Sequence, residues 1–261
     1  MTVLDQIVAR TRERLRSEEK PDRRAAEAMA EGRVAHAFRD ALSRDGVNVI
    51  AEIKSASPSA GSIVANPDVE SIARDYARGG AAAISVVTEP EFFCGSREWL
   101  MRARRAAGLS VVMKDFVVEA SQIVRGIAAG ADAILLLASL LNEAQLRDFI
   151  ALLEAYGCDA LVEVHDEEEL ERARHAGARI IGVNNRDLRS FAVDLGTSER
   201  LGALMPAGVI RVAESGIRVR ADVERLRAAG FHAFLVGESL LRQNDRAAAV
   251  KALLPCKDEK R

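Results

Sequence analysis

Short apolar runs alternate with longer amphipathic segments along most of this chain. The apolar runs have the length and composition of buried strands, and they cover residues 48–53, 81–87, 109–113, 132–137, 159–164, 179–184, 208–213 and 232–236. The segments between them carry apolar residues at helical spacing, for example in 69–78, 119–129, 143–155, 167–175 and 218–229. Strands that alternate with helices in this way predict a parallel sheet with right-handed crossovers.

The number of these units favours a closed barrel. Several predicted helices end in a glycine, such as Gly80, Gly108 or Gly230, which supplies the left-handed residue after a helix. Eight strand–helix units in 261 residues fit a (β/α)8 TIM barrel better than an open doubly wound sheet. The first strand also lacks the glycine-rich loop of a dinucleotide-binding sheet. The predicted class is therefore α/β, a (β/α)8 TIM barrel.

Residues 1–47 differ from the rest of the chain because they contain no strand candidate and are rich in Arg, Glu and Ala. One face of a first helix would be lined by Val3, Leu4, Ile7, Val8 and Leu15, and a second short helix is predicted over 34–42. So short a segment cannot hold a core alone. We expect an N-terminal helical extension, residues 1–47, packed on the barrel of residues 48–261 within a single domain.

Composition and charge limit the class of protein. A net charge of −2 argues against a nucleic-acid partner, and no apolar run approaches the roughly 18 residues of a membrane span. Residues 1–16 lack the apolar middle of a signal peptide. Cys94, Cys158 and Cys256 have no metal or redox spacing, and the four histidines form no ligand pattern. We expect a cytoplasmic monomer with reduced thiols and no metal site.

Charged residues follow the predicted strands at the carboxyl end, where barrels of this class place their active site. The first strand brings Glu52 and Lys54, which project to the same face because they are two residues apart. The third, fifth and seventh strands bring Lys114, Glu163 and Glu214. Side chains from alternate strands share a layer, so we predict a charged layer at the top of an apolar barrel. Lysines and glutamates in contact would titrate together and could serve as a proton donor and a base.

Other strand ends suggest where a ligand binds. Ser215-Gly216 follows the seventh strand and Gly237-Glu238 the eighth, the usual position of a phosphate site in these barrels. The short segment 238–241 would be the accompanying extra helix. Phe93 and Phe116 are either ordinary packing or the lining of an aromatic pocket. A turn alone would explain Asn184-Asn185, and we interpret Asp187 and Glu238 as cap or turn residues and His165 as a loop residue.

Taken together, these residues resemble the indole-3-glycerol phosphate synthase family, through the barrel and the helical extension. The motifs that carry the resemblance are Ile50-Ala51-Glu52-Ile53-Lys54, Ser57-Pro58-Ser59, Phe92-Phe93, Gly95-Ser96, Lys114-Asp115-Phe116, Glu163, Gly182-Val183-Asn184-Asn185-Arg186-Asp187-Leu188, Ala213-Glu214-Ser215-Gly216-Ile217 and Leu235-Val236-Gly237. The resemblance implies a carboxy-lyase of tryptophan biosynthesis. Such an enzyme closes the indole ring of 1-(2-carboxyphenylamino)-1-deoxyribulose 5-phosphate with loss of CO2 and water, without a metal or an organic cofactor.

The resemblance also implies roles for single residues. Lys114 would be the general acid that protonates the ribulose carbonyl, and Glu163 the base for proton removal and dehydration. Lys54 would pair with the substrate carboxylate and is a second candidate for proton transfer. Glu52 and Asn184 would orient these groups and the substrate hydroxyls. The remaining matches are assigned by position: Glu214 and Ser215 to the active site, Ser57, Gly216, Gly237 and Glu238 to the phosphate, Arg186 to substrate binding, and Phe93, Phe116 and Leu135 to the anthranilate ring.

Two positions depart from the family pattern. Ala60 stands where a basic residue is common, and Glu238 stands where a small residue is often found. We therefore expect only the backbone N–H of residue 238 to help bind phosphate.

Two other functions are alternatives to the synthase. One is a sister barrel that isomerises a phosphoribosyl substrate, such as phosphoribosylanthranilate isomerase, which would need a Cys–Asp or Asp–Asp pair at strand ends. Cys94 lies in a predicted loop and Cys158 precedes its strand. The other is a barrel that binds a phosphorylated ligand without catalysis, or acts as a scaffold, in which the acid–base set should be broken. Here the set is complete.

Overall fold

A closed barrel of eight parallel strands forms the centre of the computed structural model, which describes residues 2–187 and 190–255. The strands are β1 (Asn48–Ile53), β2 (Ala83–Val87), β3 (Ser110–Lys114), β4 (Ala133–Leu137), β5 (Asp159–Val164), β6 (Ile180–Asn184), β7 (Ile210–Glu214) and β8 (Ala233–Val236). Each strand pairs with the next, and β8 closes on β1 with Ala233 opposite Asn48. The predicted TIM barrel is confirmed, and every predicted strand overlaps an observed one.

Helices follow the strands on the outside of the barrel. They are α4 (Val69–Gly79), α5 (Glu98–Ala107), α6 (Ala120–Ala128), α7 (Glu143–Ala155), α8 (Glu167–His175), α9 (Gly196–Gly202), α10 (Arg220–Ala228), α11 (Glu238–Leu241) and α12 (Arg246–Leu253). Local sequence sets their ends: Asn142 and Gln145 form a capping box at the start of α7, and Gly80 ends α4 with a φ of 91°. A two-stranded hairpin, Ala56–Ser57 with Gly61–Ser62, was not predicted.

Three helices precede the barrel: α1 (Val3–Ser17), α2 (Arg23–Glu31) and α3 (Ala37–Leu42). The sequence predicted α1 and, three residues too early, α3, but not α2. Only Ala26 of α2 is buried, so its apolar face is too weak to detect from the sequence. Within the described residues, no helix is both long enough and apolar enough to span a membrane.

The barrel has an apolar interior that changes to a charged layer near its carboxyl end. Phe38 and Leu42 of α3 belong to the interior core and close its amino end. The odd-numbered strands place Ile50, Val112, Leu161 and Val212 in that core. Two residues further along the same strands, and therefore on the same face, stand Glu52, Lys114, Glu163 and Glu214, which line the cavity at the carboxyl end.

Candidate active site

A cavity of about 570 Å³ opens at the carboxyl end of the barrel. Every site residue predicted from the sequence lines it. They are Glu52, Lys54, Ser57, Phe93, Lys114, Phe116, Leu135, Glu163, Asn184, Arg186, Glu214, Ser215, Gly216, Gly237 and Glu238. The loops thus bring together, around one space, residues that are nearly 190 positions apart in the chain, counting from 52 to 238.

Lys114 lies at the centre of the charged layer, between two buried carboxylates. Its Nζ is 2.8 Å from Glu214 Oε2 and 3.1 Å from Glu163 Oε2. The two glutamates are 1% and 2% exposed, respectively, so both carboxylates have lost nearly all contact with bulk water. One ammonium therefore holds two carboxylates that would otherwise be costly to bury.

The surroundings of these groups shift their pKa values in different directions. Burial alone would lower the pKa of Lys114, but the carboxylates of Glu163, Glu214 and Glu52 raise it above its ordinary value. Burial also raises the pKa of Glu214, to about 7, because repulsion from Glu163 offsets the attraction of Lys114. For Glu163 the attraction of Lys114, with help from His165 and Asn184, outweighs burial and lowers the pKa well below the usual range. Carboxylates with opposite shifts are typical of acid–base sites.

Glu52 and Lys54 form a second ion pair in the same layer. Lys54 Nζ is 2.6 Å from Glu52 Oε1, and the two lysines hold the pKa of buried Glu52 below its ordinary value despite the cost of burial. Gly237 and Gly182 leave room for the carboxylates of this layer. A Cβ atom at Gly237 would collide with Glu52, and one at Gly182 would collide with Glu214.

Asn184 and His165 approach the oxygen of Glu163 that Lys114 does not contact. Asn184 Nδ2 donates to Glu163 Oε1 at 2.9 Å, and His165 Nε2 lies 3.2 Å from the same oxygen. His165 lies in the loop directly after β5, as the sequence predicted. Its spacing of two from Glu163 brings both side chains to one face, and its contact with this carboxylate goes beyond that prediction.

A tight turn after β7 faces the predicted phosphate side of the cavity. Ser215 and Gly216 both have left-handed backbone conformations, with φ of 65° and 82°. The Asn185 amide holds this turn, since its Nδ2 donates to the carbonyl oxygens of Glu214 at 3.0 Å and Ser215 at 3.2 Å. Asn185 was considered only as a turn residue in the sequence, and its long-range bonds could not be read from it.

On the other side, the cavity has an apolar wall. The rings of Phe93 and Phe116 lie 5.8 Å apart between centroids, and Leu135 and Leu137 line the same space. Buried Glu89 anchors the Phe93 loop, because its Oε2 accepts the backbone N–H of Phe93 at 3.0 Å. The wall gives an aromatic ring a place beside the charged layer.

Several cavity residues were not predicted. Val3, Leu4 and Ile7 of α1 reach the cavity, so the apolar face predicted for this helix covers a site as well as a core. Arg218 and Arg242 also line the cavity, and Arg242 Nε lies 2.9 Å from Glu238 Oε1. Asp187 is a turn residue, as predicted, since its Oδ1 accepts the N–H of Ser190.

Neither Cys94 nor Cys158 lines the cavity. Cys94 is exposed, Cys158 is buried at the amino end of β5, and Cys256 lies outside the described residues. In residues 2–187 and 190–255, no group of three or more His, Cys, Asp or Glu side chains could hold a metal ion.

Fold and site together define the class of protein. A TIM barrel with a buried lysine, two coupled carboxylates and an apolar wall around one cavity is a barrel enzyme built for acid–base chemistry. The model of the family described as indole-3-glycerol phosphate synthase matches residues 4–253. The chain belongs to the indole-3-glycerol phosphate synthase family.

Individual relatives match the sequence of this chain over nearly its whole length. The indole-3-glycerol phosphate synthase of Carboxydothermus hydrogenoformans is 44% identical over 96% of this chain and 99% of its own length. That of Desulfotalea psychrophila is 45% identical over 92% and 94%. Among solved structures, thiamine phosphate pyrophosphorylase from Pyrococcus furiosus matches with a TM-score of 0.59 at 17% identity, covering 83% of this chain and 95% of that one. At that identity the likeness concerns the fold alone.

Proposed function

We propose that the protein is an indole-3-glycerol phosphate synthase. It converts 1-(2-carboxyphenylamino)-1-deoxyribulose 5-phosphate into indole-3-glycerol phosphate, CO2 and water. Membership of the family supports this function, and the position of Lys114 between the buried carboxylates of Glu163 and Glu214 is the structural observation that carries it. Ring closure requires an acid at a carbonyl oxygen and a base nearby, and this cluster supplies both.

In the first step, the ring carbon that bears the substrate carboxylate attacks the ribulose carbonyl carbon. Lys114 gives its proton to the carbonyl oxygen, which becomes a hydroxyl group, and the neighbouring carboxylates favour the return of a proton to the amine. Lys54, at the edge of the layer with its side chain 17% exposed, pairs with the substrate carboxylate until the carbon–carbon bond breaks and CO2 leaves. Loss of CO2 restores the aromatic ring.

The second step is dehydration. The hydroxyl group leaves as water with a proton from the lysine-containing cluster, and Glu163 accepts the proton lost from the neighbouring carbon. Its low pKa keeps Glu163 ionised in the free site, so that its carboxylate is unoccupied by a proton, whereas Glu214, with a pKa of about 7, can hold or release one. Glu52 and Asn184 orient Lys54 and Glu163 through their contacts.

The remaining site residues bind the ends of the substrate. The anthranilate ring lies against Phe93, Phe116 and Leu135. The phosphate lies at the turn of Ser215 and Gly216, near Ser57, Arg186 and the backbone of Gly237 and Glu238. These loops all line one cavity, which supports one ligand that spans it.

The function is tested by mixing the purified protein with the carboxyphenylamino-deoxyribulose phosphate and following indole fluorescence. We expect fluorescence to rise with one CO2 released per indole formed. No fluorescence with substrate consumed would favour an isomerase, and binding without turnover would favour a non-catalytic barrel. The isomerase is the weaker alternative because Cys94 lies in a loop and Cys158 at the opposite end of the barrel.

The domain organisation, the compartment, the oligomeric state and the lack of nucleic-acid binding are further proposals. We propose that residues 1–47 form a single domain together with the barrel, that the protein is a cytoplasmic monomer, and that it does not bind nucleic acid. A single unfolding transition would agree with a single domain, and a sedimentation mass of 28.2 kDa would agree with a monomer. Two transitions or a doubled mass would contradict them.

A further inference from the structure

His165 stands between two carboxylates, and the mechanism above gives it no part. Its Nδ1 lies 3.0 Å from Glu169 Oε2, and its Nε2 lies 3.2 Å from Glu163 Oε1. Glu163 faces the cavity, whereas Glu169 belongs to α8 on the outside of the barrel. The ring therefore connects a cavity carboxylate to one that lies behind it.

Glu169 fixes the orientation of the ring. Its Oε2 accepts the backbone N–H of His165 at 2.8 Å as well as facing the ring nitrogen. Its own backbone N–H donates to Asp166, the residue that caps α8, so the glutamate is anchored at the start of the helix. With the ring held from behind, its Nε2 is buried 3.2 Å from Glu163 Oε1, close enough for an ion pair although the angle is not that of a hydrogen bond.

The two carboxylates beside the ring favour its doubly protonated form. A neutral imidazole carries a proton on only one nitrogen, so one of its two edges would present a lone pair to a carboxylate oxygen. Only the doubly protonated ring attracts both carboxylates. The pKa agrees, since attraction by Glu163 and Glu169 outweighs the effect of burial and raises it to about 10.

We propose that His165, held by Glu169, is a positively charged positioning residue that fixes the carboxylate of Glu163 for proton transfer. The proposal rests on the proposed function, in which Glu163 is the base. Glu163 then has a cation on each side, with Lys114 at Oε2 and His165 at Oε1, and Asn184 also donates to Oε1. Its oxygens cannot rotate without losing one of these contacts.

The histidine also distinguishes Glu163 from Glu214, although both contact Lys114. Glu214 Oε1 is buried and has no hydrogen-bond partner within the described part of the chain. The cation of His165 thus makes Glu163 the carboxylate that remains ionised and leaves Glu214 as the one that can take a proton. The charged groups around the ring are Glu163 and Glu169 in contact, Lys114, Glu214 and Glu52 behind Glu163, and Asp166 at the start of α8.

The direct test is nitrogen NMR of the histidine rings in the unmodified protein, with the His165 signals assigned by its substitution. At pH 8 an ordinary histidine, with a pKa of about 6.5, is neutral. We expect both ring nitrogens of His165 to carry protons there, and a neutral ring would overturn the proposal. This readout does not depend on activity, so it remains informative even if no indole is formed and the proposed function fails.

The kinetic test compares His165→Gln and Glu169→Gln with the wild type. His165→Gln removes the cation, so we expect kcat to fall about 10–100-fold with KM nearly unchanged, and the acid limb of the kcat profile to move up by about one pH unit. Glu169→Gln keeps an acceptor for the ring but removes its charge, so a shift in the same direction but smaller is expected. Glu168→Gln is the matched control, because Glu168 is exposed on the same helix and pairs with Arg172 rather than with His165.

The pH at which kcat falls on the acid side distinguishes a positioning role of His165 from a merely structural one. If His165→Gln lowers kcat equally at every pH, or leaves kcat and the limb unchanged, the proposal is wrong. If this variant does not fold, Glu169→Gln and the NMR measurement still decide the question, since loss of the Glu169 charge should lower the pKa of the His165 ring.

Discussion

The two ends of the barrel both bury charged side chains but use them differently. At the amino end, Asp132 Oδ2 accepts the backbone N–H of Val111 at 2.9 Å and the Nε of Arg104 at 3.1 Å. Arg33, with its side chain 1% exposed, donates to the carbonyl oxygen of Ala131 and lies 3.8 Å from Asp132. These charges hold backbone groups and join the extension to the barrel.

At the carboxyl end, the charges hold one another and face an open cavity. Lys114 contacts two glutamates rather than the backbone. Such an arrangement is a poor way to stabilise a fold, because buried ion pairs barely compensate for lost hydration. The difference indicates that buried charge at the amino end serves stability and buried charge at the carboxyl end serves chemistry.

The largest effect on activity should come from the carboxyl end. Glu163→Gln removes the proposed base, so we expect kcat to fall about 10²–10⁴-fold, the range of a lost general base. The indole fluorescence assay measures this. Glu154→Gln, an exposed residue paired with Arg179, is the control and should leave kcat unchanged. A loss of less than threefold would remove Glu163 from the chemistry.

The amino end should show the opposite behaviour. Arg33→Met breaks a buried ion pair and its bonds to backbone carbonyls, so we expect the free energy of unfolding to fall by about 3–5 kcal/mol. The kcat of the folded fraction should stay within about twofold of wild type. Urea unfolding measures the first quantity, with exposed Arg179→Met as the control. If Arg33→Met instead lowered kcat and kept stability, the distinction between the two ends would fail.

The pH dependence of stability gives a third comparison. Glu214 has a pKa of about 7 when folded against 4.5 as its ordinary value, so the folded protein holds a proton that the unfolded chain has released. Its stabilising contribution is complete below the lower value and is lost as pH rises through the higher one. Glu214→Gln removes this pH-dependent loss of stability, because glutamine does not titrate. The unfolding free energy of the variant minus that of the wild type should therefore rise between about pH 5 and pH 8, and a flat or falling difference would contradict the shift.

A smaller effect is expected at the phosphate side. Gly216→Asp places a negative charge and a side chain at the turn after β7, so we expect KM to rise about tenfold, which is about 1.4 kcal/mol. Gly208→Asp is the matched control, because Gly208 has a similar φ of 86° and open space around it, before β7 at the amino end. An unchanged KM in Gly216→Asp would argue against a phosphate at this turn.

The barrel and the main site could be predicted from sequence because both depend on short-range patterns. Buried parallel strands are continuous apolar runs, and the first polar residue after each run marks its carboxyl end. The charged layer followed from one further rule, that alternate strands share a layer, and the observed positions of Glu52, Lys114, Glu163 and Glu214 agree with it. The roles assigned to these residues remain proposals.

What the sequence did not reveal depends on how side chains pack in the folded protein, or on patterns too weak to detect. The ring of His165 is oriented by Glu169, which only the start of α8 brings within reach. The apolar face of α1 was visible, but that Val3 and Leu4 line the cavity depends on how the extension packs. Helix α2 was not predicted, because its alanines and charged residues supply almost no buried face.

The most direct test of the acid–base centre is kcat of Lys114→Met, measured together with its free energy of unfolding. Lysine at this position is the proposed proton donor, whereas methionine has a similar length and no proton to give. We predict that kcat falls by about 10²–10⁴-fold while circular dichroism shows a folded barrel, and that Lys251→Met on the exposed side of α12 changes neither. A folded Lys114→Met protein with a near-wild-type rate would contradict the account.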